Sequence, residues 1–240
     1  MHLPFLIAHR GDRNNFPENS IEGFRSALAK GADGVEMDVQ FFNGKLIVVH
    51  DYIFNQDKEH PTLQAVLREV KGKGRAEIEI KAFSKDIIQH LKDALIKNEI
   101  DNFELTTSVL PLILPLREAF PKANLGAIFN SSDVEPWMDQ MFIQRKITEL
   151  MFLTGANVAH VARLTKEQLT QDFVEDLHKF NFKVHSHIER IDMDLQLQMY
   201  HYLQEIGVDQ CTFDDIDLLG AKELDTIIDL YGKIDHGLLS

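Results

Sequence analysis

The sequence predicts an α/β fold, a (β/α)8 TIM barrel formed as a single domain over residues 1–240. Three observations lead there. Short runs rich in β-branched and other apolar residues alternate with polar turns and amphipathic helical patterns. Eight such runs occur along the chain, and no repeat, low-complexity tract or linker interrupts them. A length of 240 residues with 44% hydrophobic composition suits one barrel with a sizeable core. A doubly wound sheet shares this rhythm. In both folds the functional groups gather at the C-terminal ends of the strands.

Taken in order, the first expected strand is 5–9, an apolar stub ending in His9-Arg10. Asn19-Ser20 then opens a helix, with Glu22 as the capping-box partner three residues after Asn19. The second strand, 34–41, alternates acidic and apolar side chains. The run Leu46-Ile47-Val48-Val49 ends at His50. Further strands are expected at 76–81, 103–106, 125–129, 157–160, 183–187 and 210–213. The helical patterns between them are 85–97, 111–120, 166–179 and 193–206, with Thr165 as the N-cap of the third. A last helix, 218–230, closes the set.

Composition narrows the function classes. The formal charge of -13 argues against nucleic-acid binding, which needs a clustered basic face. It also disfavours attraction to anionic lipid. The acidic excess reads as a solubility feature or, more sharply, as carboxylates gathered around a cation. Cys211 is the single cysteine, so no intrachain disulfide forms, and its context reads as a buried strand. Met1-His2-Leu3-Pro4 lacks the charged start of a secretion signal. The longest apolar run, 109–116, is broken by prolines and too short to span a bilayer. The expectation is a soluble, cytoplasmic protein with no transmembrane segment and no nucleic-acid partner.

The chemistry concentrates in "GADGVEMDVQFFNGKLIVVHD", residues 31–51. Strand alternation puts Glu36, Asp38 and Gln40 on one face and Val35, Met37 and Val39 on the other. A half-exposed strand would leave those acids in water. A barrel strand is covered on both faces, and there paired carboxylates need a partner. A hard cation such as Mg2+ or Ca2+ supplies one through oxygen ligands. In "RAEIEIKAF", residues 75–83, Glu77, Glu79 and Lys81 face one way. This is either a solvated face with an internal Glu–Lys pair or the source of a third metal carboxylate, and alternation does not choose between Glu77 and Glu79. Lys81 is a point charge suited to phosphate. His9 and His50 both end apolar runs, and paired imidazoles exchange general base and general acid roles near neutral pH. The surrounding acids favour the imidazolium on at least one of them. His185 and His187 share a strand face and read either as hydrogen-bonding groups of the barrel interior or as part of a second metal site; His160 ends another strand.

These residues resemble a known family. "AHRG", "PENS", "GADGVEMDVQ", "VVHD", "PTLQAVL" and "EIEIK" are similar, in order, to the signature of the glycerophosphodiester phosphodiesterase family, over roughly the first 81 residues. The resemblance implies a TIM barrel that hydrolyses glycerophosphodiesters to sn-glycerol 3-phosphate and an alcohol. By position it implies His9 and His50 as the acid–base pair. Glu36, Asp38 and Glu79 are then the ligands of one divalent cation, Mg2+ or Ca2+, and Arg10 and Lys81 the phosphate contacts. Glu18 either supports these groups or a substrate hydroxyl, or simply leads into the first helix.

Two departures from the family pattern bear on substrate. The usual lid insertion after His-Asp is largely missing, since only residues 52–60 separate Asp51 from Pro61-Thr62-Leu63. The late motifs also differ: "VHSHIER" puts His187 where the family has tryptophan, and Phe213-Asp214 replaces Thr-Asp. The open mouth admits bulkier diesters, so a lysophospholipase D-type activity on lysophospholipids is one alternative. A catalytically silent phosphodiester-binding protein of the same fold is the other.

Overall fold

Each predicted strand pairs with its neighbour until the sheet closes on itself. The computed structural model describes residues 3–81, 84–130 and 133–222. In chain order the elements are β1 (Phe5–His9), α1 (Ile21–Ala29), β2 (Gly34–Phe42), β3 (Lys45–Val48), α2 (Leu63–Val70), β4 (Arg75–Ile80) and α3 (Asp86–Lys97). There follow β5 (Phe103–Thr107), a 3-10 turn (Leu110–Leu112) running into α4 (Ile113–Ala119), β6 (Asn124–Ile128), α5 (Gln140–Thr154) and β7 (Val158–His160). The series ends with α6 (Gln171–Lys179), β8 (Lys183–Ile188), α7 (Met193–Glu205) and β9 (Gln210–Phe213).

The strand order is β1-β9-β8-β7-β6-β5-β4-β2, and β1 also pairs with β2, so the parallel strands form a closed barrel. This is the TIM barrel the sequence predicts. Val35, Met37 and Val39 of β2 enter the apolar layer between strands and helices, beside Phe24, Leu63 and Leu67. The opposite parity, Glu36, Asp38 and Gln40, is buried as well, inside the barrel. No helix of the described residues is long and apolar enough to cross a membrane.

Several elements differ from expectation. β3 pairs antiparallel with β2 through the turn at Asn43-Gly44, where φ is 48° and 73°. An Asn-Gly pair between apolar runs is a strong hairpin signal, and it was legible. α2 has an apolar face of Leu63, Val66, Leu67 and Val70 and is capped by Thr62. α5 carries exposed Met141, Phe142, Phe152 and Leu153, which blur its helical period. The N-cap of α1 is Ser20, whose hydroxyl accepts from the Gly23 N–H at 3.2 Å, so the expected Asn19–Glu22 capping box does not form. Asn19 instead takes a left-handed φ of 58° and donates its amide to Asp38 at 2.8 Å. α6 starts at Gln171 under a Thr170 cap, because the buried Gln168 accepts from Thr165 N–H and donates to Glu135, holding the preceding stretch as a turn. Of the expected 218–230 helix, residues 217–222 are helical and the rest lies outside the described residues.

The turn after β1 requires its glycine. Gly11 has φ of 84°, and a Cβ there would lie 2.8 Å from the Gly23 carbonyl carbon. Gly11→Ala is expected to destabilise the protein by about 2 kcal/mol or more, read as a fall in the denaturant midpoint at unchanged m-value.

Candidate active site

Strand register decides which carboxylates meet. In the β2–β4 pairing Glu36 lies opposite Glu77 and Asp38 opposite Glu79. In β1–β2, His9 lies opposite Glu36. Inward side chains therefore stack in two levels. At the C-terminal mouth, Glu36, Asp38 and Glu79 place one oxygen each within 4.8 Å of one another. Glu77 belongs to the lower level, and Glu79 is the one that lies beside Glu36 and Asp38.

The mouth cluster has more negative charge than its neighbours balance. Arg10 Nε lies 3.1 Å from Asp38, while Lys81 Nζ lies 3.3 Å from Asp38 and 3.5 Å from Glu79. Burial opposes ionisation of Asp38, but Arg10 and Lys81 hold its carboxyl below the ordinary range. Glu36 goes the other way. Burial, then the charges of Asp38 and Glu79, push it well above the usual carboxylate value. Burial and Asp38 raise Glu79 likewise. Glu36 Oε1 is buried with no hydrogen-bond partner among the described residues. Such an orphaned oxygen is costly, and a cation facing the three carboxylates removes the cost.

His9 is oriented from behind. Its Nδ1 lies 2.6 Å from Asp214 Oδ1, and its Nε2 points towards Glu36 at 3.9 Å. A carboxylate only accepts, so Nδ1 carries the proton and Nε2 presents its lone pair to the mouth. Burial lowers the His9 imidazole to about 4, against the pull of Asp214, so it is neutral at neutral pH. Burial works against ionised Asp214 too, but hydrogen bonds from His187 and His9 hold it below the ordinary range. The His187 ring meets His9 edge-on at 4.8 Å. His50 stands on the far side with its Nδ1 2.8 Å from Asp51. Its loop is fixed by Gln40, whose amide donates to the Asp51 carbonyl at 2.7 Å. Arg10 also donates to Glu18 at 3.0 Å. Glu18 thus tethers Arg10 and stays outside the carboxylate cluster. A funnel of about 530 Å3 joins His9, Arg10, Glu36, His50, Glu79 and Lys81.

Below the mouth lies a second polar level. Glu77, Glu104, His160 and His185 are all buried and also place ligand atoms within 4.8 Å of one another, a group able to hold a metal. Here, however, the chain supplies its own partners. Arg75 reaches Glu77 at 3.0 Å and Glu104 at 3.5 Å. His160 and Gln210 bond Glu104 at 3.0 and 2.9 Å, and His185 accepts from Thr212 N–H at 3.0 Å. Burial and Glu104 push Glu77 up to about 7, so a proton further reduces the charge. Gly126 makes room for this level, since a Cβ there would lie 2.5 Å from His160 Nε2. The shared face of His185 and His187 thus splits between two environments: His185 faces this lower network, and His187 faces His9 and Asp214.

Sequence reasoning missed the roles of Asn19, Gln40 and Asp214. Asp214 had a usable signal, because it directly follows the last strand at the functional end of the barrel.

Residues 9–58 match the model of the glycerophosphoryl diester phosphodiesterase family. A glycerophosphodiester phosphodiesterase of Caldanaerobacter subterraneus is 55% identical over 47 residues, a segment spanning 19% of this chain and 19% of that relative. Among solved structures, a glycerophosphodiester phosphodiesterase from Parabacteroides distasonis aligns with a TM-score of 0.73 at 18% identity, covering 94% of this chain and 99% of the other. An Oleispira antarctica phosphodiesterase in complex with the product sn-glycerol-3-phosphate aligns with a TM-score of 0.72 at 17% identity, covering 92% and 97%. The 55%-identical segment spans about a fifth of this chain and of that relative, whereas the barrel fold extends over more than nine-tenths of the chain. Residues 9–58 are thus similar to the glycerophosphoryl diester phosphodiesterase family, on a barrel whose fold solved glycerophosphodiester phosphodiesterases share.

Proposed function

We propose that this protein hydrolyses glycerophosphodiesters to sn-glycerol 3-phosphate and an alcohol, using one divalent cation, Mg2+ or Ca2+, held by Glu36, Asp38 and Glu79. The observation that carries this reading is the under-neutralised carboxylate cluster, with the orphaned Glu36 oxygen, sharing one funnel with His9, His50, Arg10 and Lys81. The oxygen-only donor set suits a hard cation. The product bound to the Oleispira antarctica neighbour supports the substrate class.

When bound, the cation supplies positive charge to the phosphate oxygens. Arg10 and Lys81 add to it where charge builds up in the transition state. His9, neutral and with Nε2 free to accept, takes the proton of the nucleophile, which is water or the glycerol 2-hydroxyl. His50 returns a proton to the leaving alkoxide. Asp214 holds His9 in the required tautomer and is a positioning residue. Asp214→Asn is expected to lower kcat about 10- to 100-fold with little change in KM, since it disturbs the base and leaves the phosphate contacts intact.

Phosphorus NMR of a panel of glycerophosphodiesters tests the whole reading. Release of glycerol 3-phosphate is expected with added Mg2+ or Ca2+ and is expected to stop with chelator. Hydrolysis indifferent to chelator overturns the metal assignment, and binding without turnover would make the protein a silent phosphodiester binder.

A further inference from the structure

His9, His187 and Asp214 form a group of metal-ligating side chains separate from the carboxylate cluster. Each offers one ligand atom, and the three atoms lie within 4.8 Å of one another. Asp214 Oδ1 meets both imidazoles, at 2.6 Å from His9 Nδ1 and 3.3 Å from His187 Nε2. That His187 nitrogen is buried and holds the oxygen only loosely. The other, Nδ1, lies 3.1 Å from Thr212 Oγ1. With Nδ1–H donated to Thr212, the Nε2 lone pair faces Asp214 and is oriented to bind an ion. All three residues line the funnel, so an ion can enter from solvent.

The donor set differs from that of the neighbouring cluster. Two imidazoles and one carboxylate suit Zn2+, whereas oxygen ligands alone suit Mg2+ or Ca2+. His187 also stands where the family pattern has tryptophan, and an indole has no lone pair to give a metal. Positive charge already collects at this point. Arg13 Nη1 lies 2.7 Å from Asp214 Oδ1 and 3.4 Å from His9 Nδ1. The Arg13 side chain is 31% exposed and its Nε is 3.9 Å from Glu18. It therefore keeps a carboxylate partner when it yields its place to an ion.

We propose that His9, His187 and Asp214 bind Zn2+, and that the bound ion stops hydrolysis by occupying His9 Nδ1. The reason lies in the imidazole tautomer. As a base, His9 needs its proton on Nδ1 and its lone pair on Nε2. A metal on Nδ1 leaves the ring neutral only with the proton on Nε2. The proton moves from one nitrogen to the other by way of water, and the ring releases none. Nε2 then donates and no longer accepts. The site itself stands on geometry, and its effect on turnover rests on the phosphodiesterase reading.

Calorimetric titration of the full chain with Zn2+, in excess Mg2+ to fill the carboxylate cluster, tests the site. Stoichiometric binding is expected. His187→Phe is expected to weaken it by at least about tenfold, since even a lost supporting contact costs that much. Glu36→Gln is expected to leave it unchanged. Arg13→Ala removes the competing cation and is expected to tighten it about two- to fivefold, the worth of a part-exposed ion pair; this variant decides the matter if His187→Phe misfolds. In Mg2+, added Zn2+ is expected to halt hydrolysis by the parent and to spare His187→Phe, each scored against its own rate without Zn2+. Absent binding, an affinity unmoved by both His187→Phe and Arg13→Ala, or binding lost in Glu36→Gln overturns the site. Zn2+ bound with turnover undiminished overturns the switch. Failure of the phosphodiesterase reading shows separately, as absent hydrolysis in Mg2+ alone, and the calorimetry then still decides the site.

Discussion

His50→Ala is expected to lower kcat for a glycerophosphodiester by about 10^2- to 10^4-fold while leaving the melting temperature unchanged. The two halves of this expectation have separate causes. The imidazole is about a third exposed and, among the described residues, bonds Asp51 alone, so its loss opens no cavity. Gln40 continues to hold the loop through main-chain carbonyls, independently of the ring. Chemistry, in contrast, loses the group that protonates an alkoxide with a pKa far above neutrality. His9→Ala is expected to cost a similar factor by removing the base. Asp214 then keeps Arg13 at 2.7 Å and His187 at 3.3 Å, so its charge remains paired and the barrel stays intact. Steady-state kinetics with circular dichroism melts checks both variants. Wild-type turnover in either one would sink the acid–base assignment.

Glu36→Gln is expected to do two opposite things. In the metal-free protein it raises stability by about 1–2 kcal/mol, a rise in Tm of about 2–8 °C for a chain of this length. At the same time it abolishes the Tm increase on adding Mg2+ or Ca2+, and hydrolysis with it. The stabilisation follows from linkage. Burial and the charges of Asp38 and Glu79 raise the folded carboxyl above its unfolded value. The unfolded chain therefore loses this proton first, and stability falls as pH rises from the ordinary carboxylate range to the raised folded value. The glutamine variant escapes that loss, so its advantage is largest above this window and vanishes below it. Scanning fluorimetry in chelator and in excess cation, across pH, reads both effects. A variant less stable than the parent in chelator, or one still stabilised by cation, would show that the three carboxylates do not form a cation site.

Much of the site was legible because strand alternation is a local property. Glu36, Asp38 and Gln40 follow parity within one segment, as do Glu79 and Lys81. The signature through "EIEIK" links them in order along the chain. Alternation says which face a side chain takes, however, and nothing about how far a neighbouring strand is shifted. Glu77 and Glu79 have the same parity, and the β2–β4 register alone separates the mouth from the lower level.

Helix starts show the same limit. Asn19-Ser20 offered two caps, and Ser20 took the role because Asn19 is bonded to Asp38 across the turn. The exposed apolar side chains of α5 hid its period, because a pattern averaged over one helix does not tell core from surface.

The sequence by itself determined the eight-strand rhythm, the inward acids of β2 and β4, and the two histidines closing apolar runs. Each of these is encoded within a few consecutive residues. The tertiary structure decided which groups meet. Barrel closure sets β1 beside β9 and brings Asp214 to His9 across 205 residues of chain. The same closure seals Arg75, Glu104 and Gln210 into a network beneath the mouth and leaves Glu36 with an oxygen unpartnered among the described residues. Pairings of this kind depend on ring closure and register, which are properties of the whole sheet and of no single segment.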